Sequence, residues 1–159
     1  EVKGYKFYWS QSHIETYCSR HNTNLTVHMT LTFRTKSKHG YSAKFSPYFP
    51  QRLACVASQY YGIAGCGSVF IFDVHPGEIR LVQMSDWSDG LFDLTWAENN
   101  ENILVTASGD GSVQVWDVGQ AQSPLKVLKE HTKEVNTVEW SQTRNEHFVI
   151  SASWDNLIK

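Results

Sequence analysis

The feature that most constrains this chain is an internal repeat. Residues 90–118, GLFDLTWAENNENILVTASGDGSVQVWDV, lie over residues 134–159, EVNTVEWSQTRNEHFVISASWDNLIK, so that Trp96 matches Trp140 at an offset of 44. One extra residue in the loop from Gln142 to Glu146 then brings Thr106, Ala107, Ser108 and Asp110 onto Ser151, Ala152, Ser153 and Asp155 at an offset of 45. A third copy lies upstream, where Phe72-Asp73 precedes Trp116-Asp117 by 44 residues and Phe45-Ser46-Pro47 takes the place of Trp96. A period near 44 made of short strands predicts a repeated four-stranded sheet, each copy burying its faces only against its neighbours.

From His39 onward, β-branched and aromatic runs alternate with clusters of Gly, Pro, Asn and Asp. The predicted strands are Tyr41 to Phe45, Leu53 to Ser58, Ser68 to Asp73, Leu91 to Trp96, Ile103 to Ser108, Ser112 to Asp117, Val135 to Trp140 and His147 to Ser153. Asp110-Gly111, between two alternating runs, predicts a two-residue hairpin turn. Residues 1–35 differ from the rest: they hold four basic and two acidic side chains, against ten and fourteen in 36–159. We read no sustained period there and expect residues 1–32 to be a poorly ordered or non-native segment, with His13, His21 and His28 solvated.

Trp116-Asp117 closing a strand, Ser108-Gly109-Asp110-Gly111 in the turn before it, and Glu130-His131 opening the next unit resemble a WD repeat. The resemblance implies an all-β fold, a WD40-type β-propeller, of which residues 33–159 hold about the first two to three blades. The expected bounds are 39–80, 87–125 and 131–159, the last truncated and the ring incomplete. In that family a complete blade carries a hydrogen-bonded set of His, Ser or Thr, Asp and Trp. His131, Ser151 and Asp155 match three members in the last blade, and Thr106, Asp110 and Trp116 match three in the middle one, where Trp87 stands in place of His. Such a set suits a structural role, because a buried indole and imidazole must find partners. Ser151, His131 and Asp155 are also the residue types of a hydrolytic triad, but a strand serine has no strained nucleophile turn and no evident oxyanion hole. We therefore expect no enzyme activity.

Three stretches are more particular: residues 39–73, 86–117 and 129–159, with Tyr61-Gly62-Ile63-Ala64-Gly65, Asp86-Trp87, Asp89-Gly90-Leu91-Phe92-Asp93 and Trp140-Ser141-Gln142-Thr143-Arg144 the most telling pieces. They resemble the WD repeat peroxins, import receptors for type 2 peroxisomal targeting signals, over roughly Phe33 to Lys159. The resemblance implies binding, without any cofactor, of an amino-terminal signal on cargo enzymes in the cytosol. It further implies delivery to the peroxisome with a co-receptor, the long form of the type 1 signal receptor or a related peroxin, and shuttling between cytosol and peroxisomal matrix. The other reading is a generic WD40 scaffold, such as a chromatin or ubiquitin-ligase adaptor.

Composition agrees with a protein ligand. A formal net charge of -2 supplies no global positive field for nucleic acid or an anionic membrane, and no apolar run approaches a membrane span. Cys18, Cys55 and Cys66 are too few and too scattered for a structural zinc site and fit a reducing compartment. Between Arg80 and Lys126 there is no Lys or Arg, while Asp86, Asp89, Asp93, Glu98, Glu101, Asp110 and Asp117 supply seven carboxylates. That run is either a solvated acidic surface or a field for a cationic peptide. Placed on the blade face that usually binds partners in the family, Phe92, Trp154, Asp89, Asp93 and Glu134 are the expected cargo contacts, with Tyr41 the first-blade equivalent of Phe92. Trp154 packing against a neighbouring blade is the competing expectation, and Tyr60 and Tyr61 are expected to pack rather than bind. The 121 residues from 39 to 159 hold fewer than three blades, so we expect a fragment or an incomplete gene product that aggregates or is molten alone, with Met29 as the native start.

Overall fold

The computed structural model describes the backbone of residues 5–10, 13–22, 25–120, 123–142 and 147–159, with side chains from residue 30 onward. Its regular structure is β, in antiparallel sheets. Strands β1 (Tyr5–Ser10), β2 (His13–Asn22) and β3 (Leu25–Arg34) form a meander. Next come β4 (His39–Phe45), β5 (Arg52–Ser58), β6 (Gly67–His75) and β7 (Glu78–Trp87), paired in chain order as one four-stranded sheet. A second such sheet holds β8 (Leu91–Trp96), β9 (Ile103–Ser108), β10 (Val113–Asp117) and β11 (Lys126–Leu128). The hairpin of β12 (Val135–Trp140) and β13 (Val149–Ser153) begins a third.

These sheets stack face to face as blades do. β8 packs on β4 and β5, and β12 packs on β8 and β9. Ala54, Val56, Val69 and Ile71 meet Leu91, Leu94, Trp96, Leu104 and Trp116 between the first two sheets. Val105, Ala107 and Val113 meet Val135 and Val138 between the second and third. Hydrogen bonds cross both seams: Trp96 Nε1 donates to the Lys44 carbonyl at 2.9 Å, and the Trp140 N–H to Thr95 Oγ1 at 3.3 Å.

The opposite face of the first sheet is apolar, with Leu53, Cys55, Phe70 and Phe72 buried under Leu31 and Phe33 of β3. Phe33 meets Phe72 edge-on at 4.7 Å between centroids. β3 corrects the expectation of irregularity up to residue 32, because Leu25, Val27, Met29, Leu31 and Phe33 do alternate with polar residues. The signal was hidden by the polar residues of 10–26 just before it. The side chains of His13, His21, His28 and Cys18 lie outside the described residues.

Besides β1 to β3, two strands went unpredicted, β7 and β11, both outermost in their sheets. In β7, Val82 is an extra residue at a bulge that breaks the period, and Leu81, Val82 and Met84 are exposed, so no core enforces alternation. β11 has only three residues. The Asp110 turn also differs from expectation. Only Gly111 takes positive φ, at 84°, and Ser108 and Ser112 enclose a three-residue loop; Asp110 instead accepts the Ser112 N–H at 3.0 Å. The third sheet repeats the device, with Asn156 at φ 67° and the Leu157 N–H on Asp155 Oδ1 at 2.9 Å.

Candidate functional site: an aromatic and acidic cleft at one end of the sheets

Each of the three stacked sheets opens with the same irregularity. A bulge between Gly40 and Ser42, another between Leu91 and Asp93, and a third between Val135 and Thr137 leave Tyr41, Phe92 and Asn136 as the extra residues. A bulge re-aims its side chain out of the sheet's alternation. All three re-aimed residues line one cleft of about 550 Å³ at the end where β4, β8 and β12 begin. Tyr61, Gly62, Ile63, Asp89, Gly109, Glu134 and Trp154 complete its wall. The volume and the mixture of aromatic rings with a few carboxylates suit a side-chain or peptide ligand.

Phe92 meets the Tyr41 ring edge-on at 5.1 Å, and burial raises the Tyr41 hydroxyl pKa. Trp154 lines the cleft and is 64 % exposed. Tyr61 lines the cleft, stacked 3.9 Å from the His39 ring, and Tyr60 and Tyr61 are 69 % and 57 % exposed. They are therefore surface residues rather than packing ones. The reason is backbone: Tyr60, Tyr61 and Gly62 take φ of 42°, 57° and 70°, a left-handed turn that lifts the rings off the sheet.

The seven carboxylates between Arg80 and Lys126 disperse. β8 and β10 run from the cleft end to the other, so Glu98, Glu101 and Asp117 lie at the far end of the sheet. Asp86 is held by Lys38 at 2.8 Å and by the Ser68 hydroxyl; burial works to raise its pKa, but those two partners hold it below the usual carboxylate range. Asp110 is taken up by Ser112. Asp93, expected at the site, is absent from the cleft wall and accepts Thr137 Oγ1–H at 2.8 Å and the Val138 N–H at 3.1 Å, tying the second sheet to the third. What remains facing the cleft is Asp89, whose Oδ1 accepts the Gly90 N–H at 2.7 Å, and Glu134. Among the described residues no group of His, Cys, Asp and Glu is placed to hold a metal ion.

The two buried networks also take shape. In the third sheet His131 Nε2 lies 2.9 Å from Ser151 Oγ and its Nδ1 2.9 Å from Asp155 Oδ2. These are triad distances, but the His131 and Asp155 side chains are 2 % and 3 % exposed, and the Ser151 N–H and carbonyl pair with Lys159. The trio is thus packed inside the sheet, with Ser151 itself buried in a paired strand. In the second sheet Trp116 Nε1 donates to Thr106 Oγ1 at 2.9 Å as expected, while Asp110 joins only through a chain. Thr106 donates to Gln114 Oε1 at 2.5 Å, Gln114 Nε2 donates to Ser112 Oγ at 2.6 Å, and Ser112 Oγ donates to Asp110 Oδ1 at 2.5 Å. Gln114, fully buried, does the bridging an imidazole would do. It was legible, standing two residues before Trp116 in an alternating strand and so on its face. Trp87 contributes a ring against Trp116 at 6.3 Å, and its buried Nε1 finds no partner.

Comparison with known proteins agrees with the repeated fold. The family described as WD domain, G-beta repeat matches residues 78–117 and 122–159. The chain is similar to the peroxisomal targeting signal 2 receptors of Mus musculus, 56 % identical over 80 % of this chain and 40 % of that protein, and of Homo sapiens, 57 % identical over 79 % and 39 %. The receptor of that name from Saccharomyces cerevisiae is 34 % identical over 81 % of this chain and 34 % of its own length. The chain thus spans about two fifths or less of the curated relatives it matches. The chain therefore carries WD40 repeats, and its two four-stranded sheets with the hairpin stacked on them have the arrangement of blades in a partial β-propeller.

Proposed function

We propose that this chain is part of an import receptor that binds the type 2 peroxisomal targeting signal of cargo proteins, and that the cleft between Tyr41 and Trp154 takes part in that binding. The name shared by the relatives supports the role, and the observation that carries the site is the convergence of Tyr41, Phe92 and Trp154 with the carboxylates of Asp89 and Glu134 in one cleft. A peptide presenting Arg or Lys beside apolar side chains would place its cations on the carboxylates and its apolar side against the rings. Delivery follows with a co-receptor, in a cycle between cytosol and peroxisome. The receptor works by binding, and the buried Ser151 network serves the fold.

The test is titration of a fluorescent type 2 signal peptide into the full-length protein with its co-receptor. Asp89→Lys and Glu134→Lys should each weaken binding by about tenfold or more, and more so at low salt. Binding that is unchanged by both reversals would remove the cleft from the reading. Absence of saturable binding by folded native protein would remove the receptor role.

A further inference from the structure

Phe92 stands out in the cleft because of what surrounds its ring. Three loops from two blades approach it, and each does so with a glycine. A Cβ on Gly62 would overlap Phe92 Cε1 and come within 3.1 Å of the Tyr41 hydroxyl. One on Gly90 would sit 3.3 Å from Phe92 Cζ and 3.2 Å from the Gly62 Cα. One on Gly109 would sit 3.3 Å from Phe92 Cε2 and 3.1 Å from Asp89 Oδ1. Contacts that tight force a neighbour to move. The loops are also tied to one another: the Gly109 N–H donates to the Gly90 carbonyl at 2.8 Å, and the Gly67 N–H to the Asp89 carbonyl at 2.8 Å. The ring therefore rests in a seat made of backbone, which is stiffer than one made of side chains.

Left-handed φ explains glycine at position 62, where φ is 70°, but not at 90 or 109, where the backbone is open to any residue. At those two a Cβ would crowd the Phe92 ring at 3.3 Å, together with the Gly62 carbonyl at 3.1 Å for position 90 and with Asp89 Oδ1 at 3.1 Å for position 109. We propose that Gly62, Gly90 and Gly109 are positioning residues of the cleft, seating the Phe92 ring against Tyr41 so that its exposed edge meets the bound peptide. This rests on the reading of the cleft as the signal-peptide site. Gly109 has a second effect, since it leaves room for the Asp89 carboxylate beside the same ring.

The experiment is a mutant cycle in the full-length receptor with its co-receptor, using Gly109→Ala, Phe92→Ala and the double variant, and a synthetic type 2 signal peptide as probe. Gly109→Ala needs no unusual φ, so the variant folds; Gly62→Ala carries the larger overlap and serves as the second probe. We expect Gly109→Ala to weaken the peptide about 3- to 10-fold and the loss to shrink at least threefold in the Phe92→Ala background, the residue being the Asp89 share. A loss of equal size in both backgrounds would mean that Gly109 acts without Phe92, through Asp89 or by touching the peptide, and would overturn the seat. The second readout needs no peptide: 4-fluorophenylalanine at position 92 should change its ¹⁹F shift in Gly109→Ala and in Gly62→Ala. An unmoved resonance in both would likewise overturn it. If native protein binds no peptide, the reading of the cleft falls, and the ¹⁹F shifts still decide the seat.

Discussion

Asp155 Oδ2 lies 2.9 Å from His131 Nδ1 and 3.1 Å from the Thr132 N–H, so one buried carboxylate closes the loop that enters the third blade. Burial works to raise its pKa, but the Thr132 N–H, the His131 ring and the Leu157 N–H outweigh it and hold the carboxyl at about 2. A depressed folded-state pKa contributes stability above the ordinary aspartate value and loses it as pH falls toward the folded one. Denaturant melts should therefore show stability declining between about pH 4 and pH 2. Asp155→Asn should flatten the part of that decline due to this group. A variant with the unaltered acid limb would refute the assignment.

Asp93 bonds across the seam between the second and third blades, away from the cleft. Asp93→Ala leaves the Val138 N–H and Thr137 Oγ1 without that acceptor and should cost about 1–2 kcal/mol of stability. Peptide affinity of the folded variant should stay within about twofold of native, in contrast to Asp89→Lys. Urea titration and peptide binding on the same sample separate the two effects.

Gln114 joins Thr106 to Ser112 with every partner buried. Gln114→Leu fits the volume but takes the acceptor from the Thr106 hydroxyl and one donor from Ser112 Oγ, and should destabilise by about 1–3 kcal/mol. Gln114→His restores a donor and an acceptor at the same place and should recover part of the loss. Thermal melts of the pair check this, and equal melting for Leu and Gln would show that the network is idle.

Phe33 covers Phe72 from β3 on the face turned away from the second blade. Phe33→Ala should cost about 2–3 kcal/mol, less than a fully buried phenylalanine because Phe33 is only partly buried. Phe33→Leu should cost about 1 kcal/mol. Chemical denaturation distinguishes them, and no effect from either would mean that β3 does not cover this face.

The 44-residue offset, read from Trp96 and Trp140, carried the architecture, because blades repeat their inward alternation and every inner strand shows it. His131, Ser151 and Asp155, like Thr106 and Trp116, were legible through the resemblance to a WD repeat. The outer strands β7 and β11 were not, since a strand with one solvated edge and exposed side chains has nothing to impose a period. β3 carried its alternation openly and was passed over because of the polar stretch preceding it.

For the cleft, the chain order already separates Phe92, Asp89, Glu134 and Trp154 as residues of strand entries and turns at one end. Which acids face the ligand is a tertiary matter. Seven carboxylates look alike in a stretch without cations, and Lys38, Thr137 and Ser112 are 48, 44 and 2 residues from the Asp86, Asp93 and Asp110 they engage. The same holds for Tyr41, Phe92 and Asn136, whose bulges appear only once each strand meets its partner and one residue is left over. Local pattern thus determined the repeated sheet and its inner strands. Packing between blades decided the rest, because hydrogen bonds and ring contacts across a seam depend on which residues the stacking brings within a few ångströms.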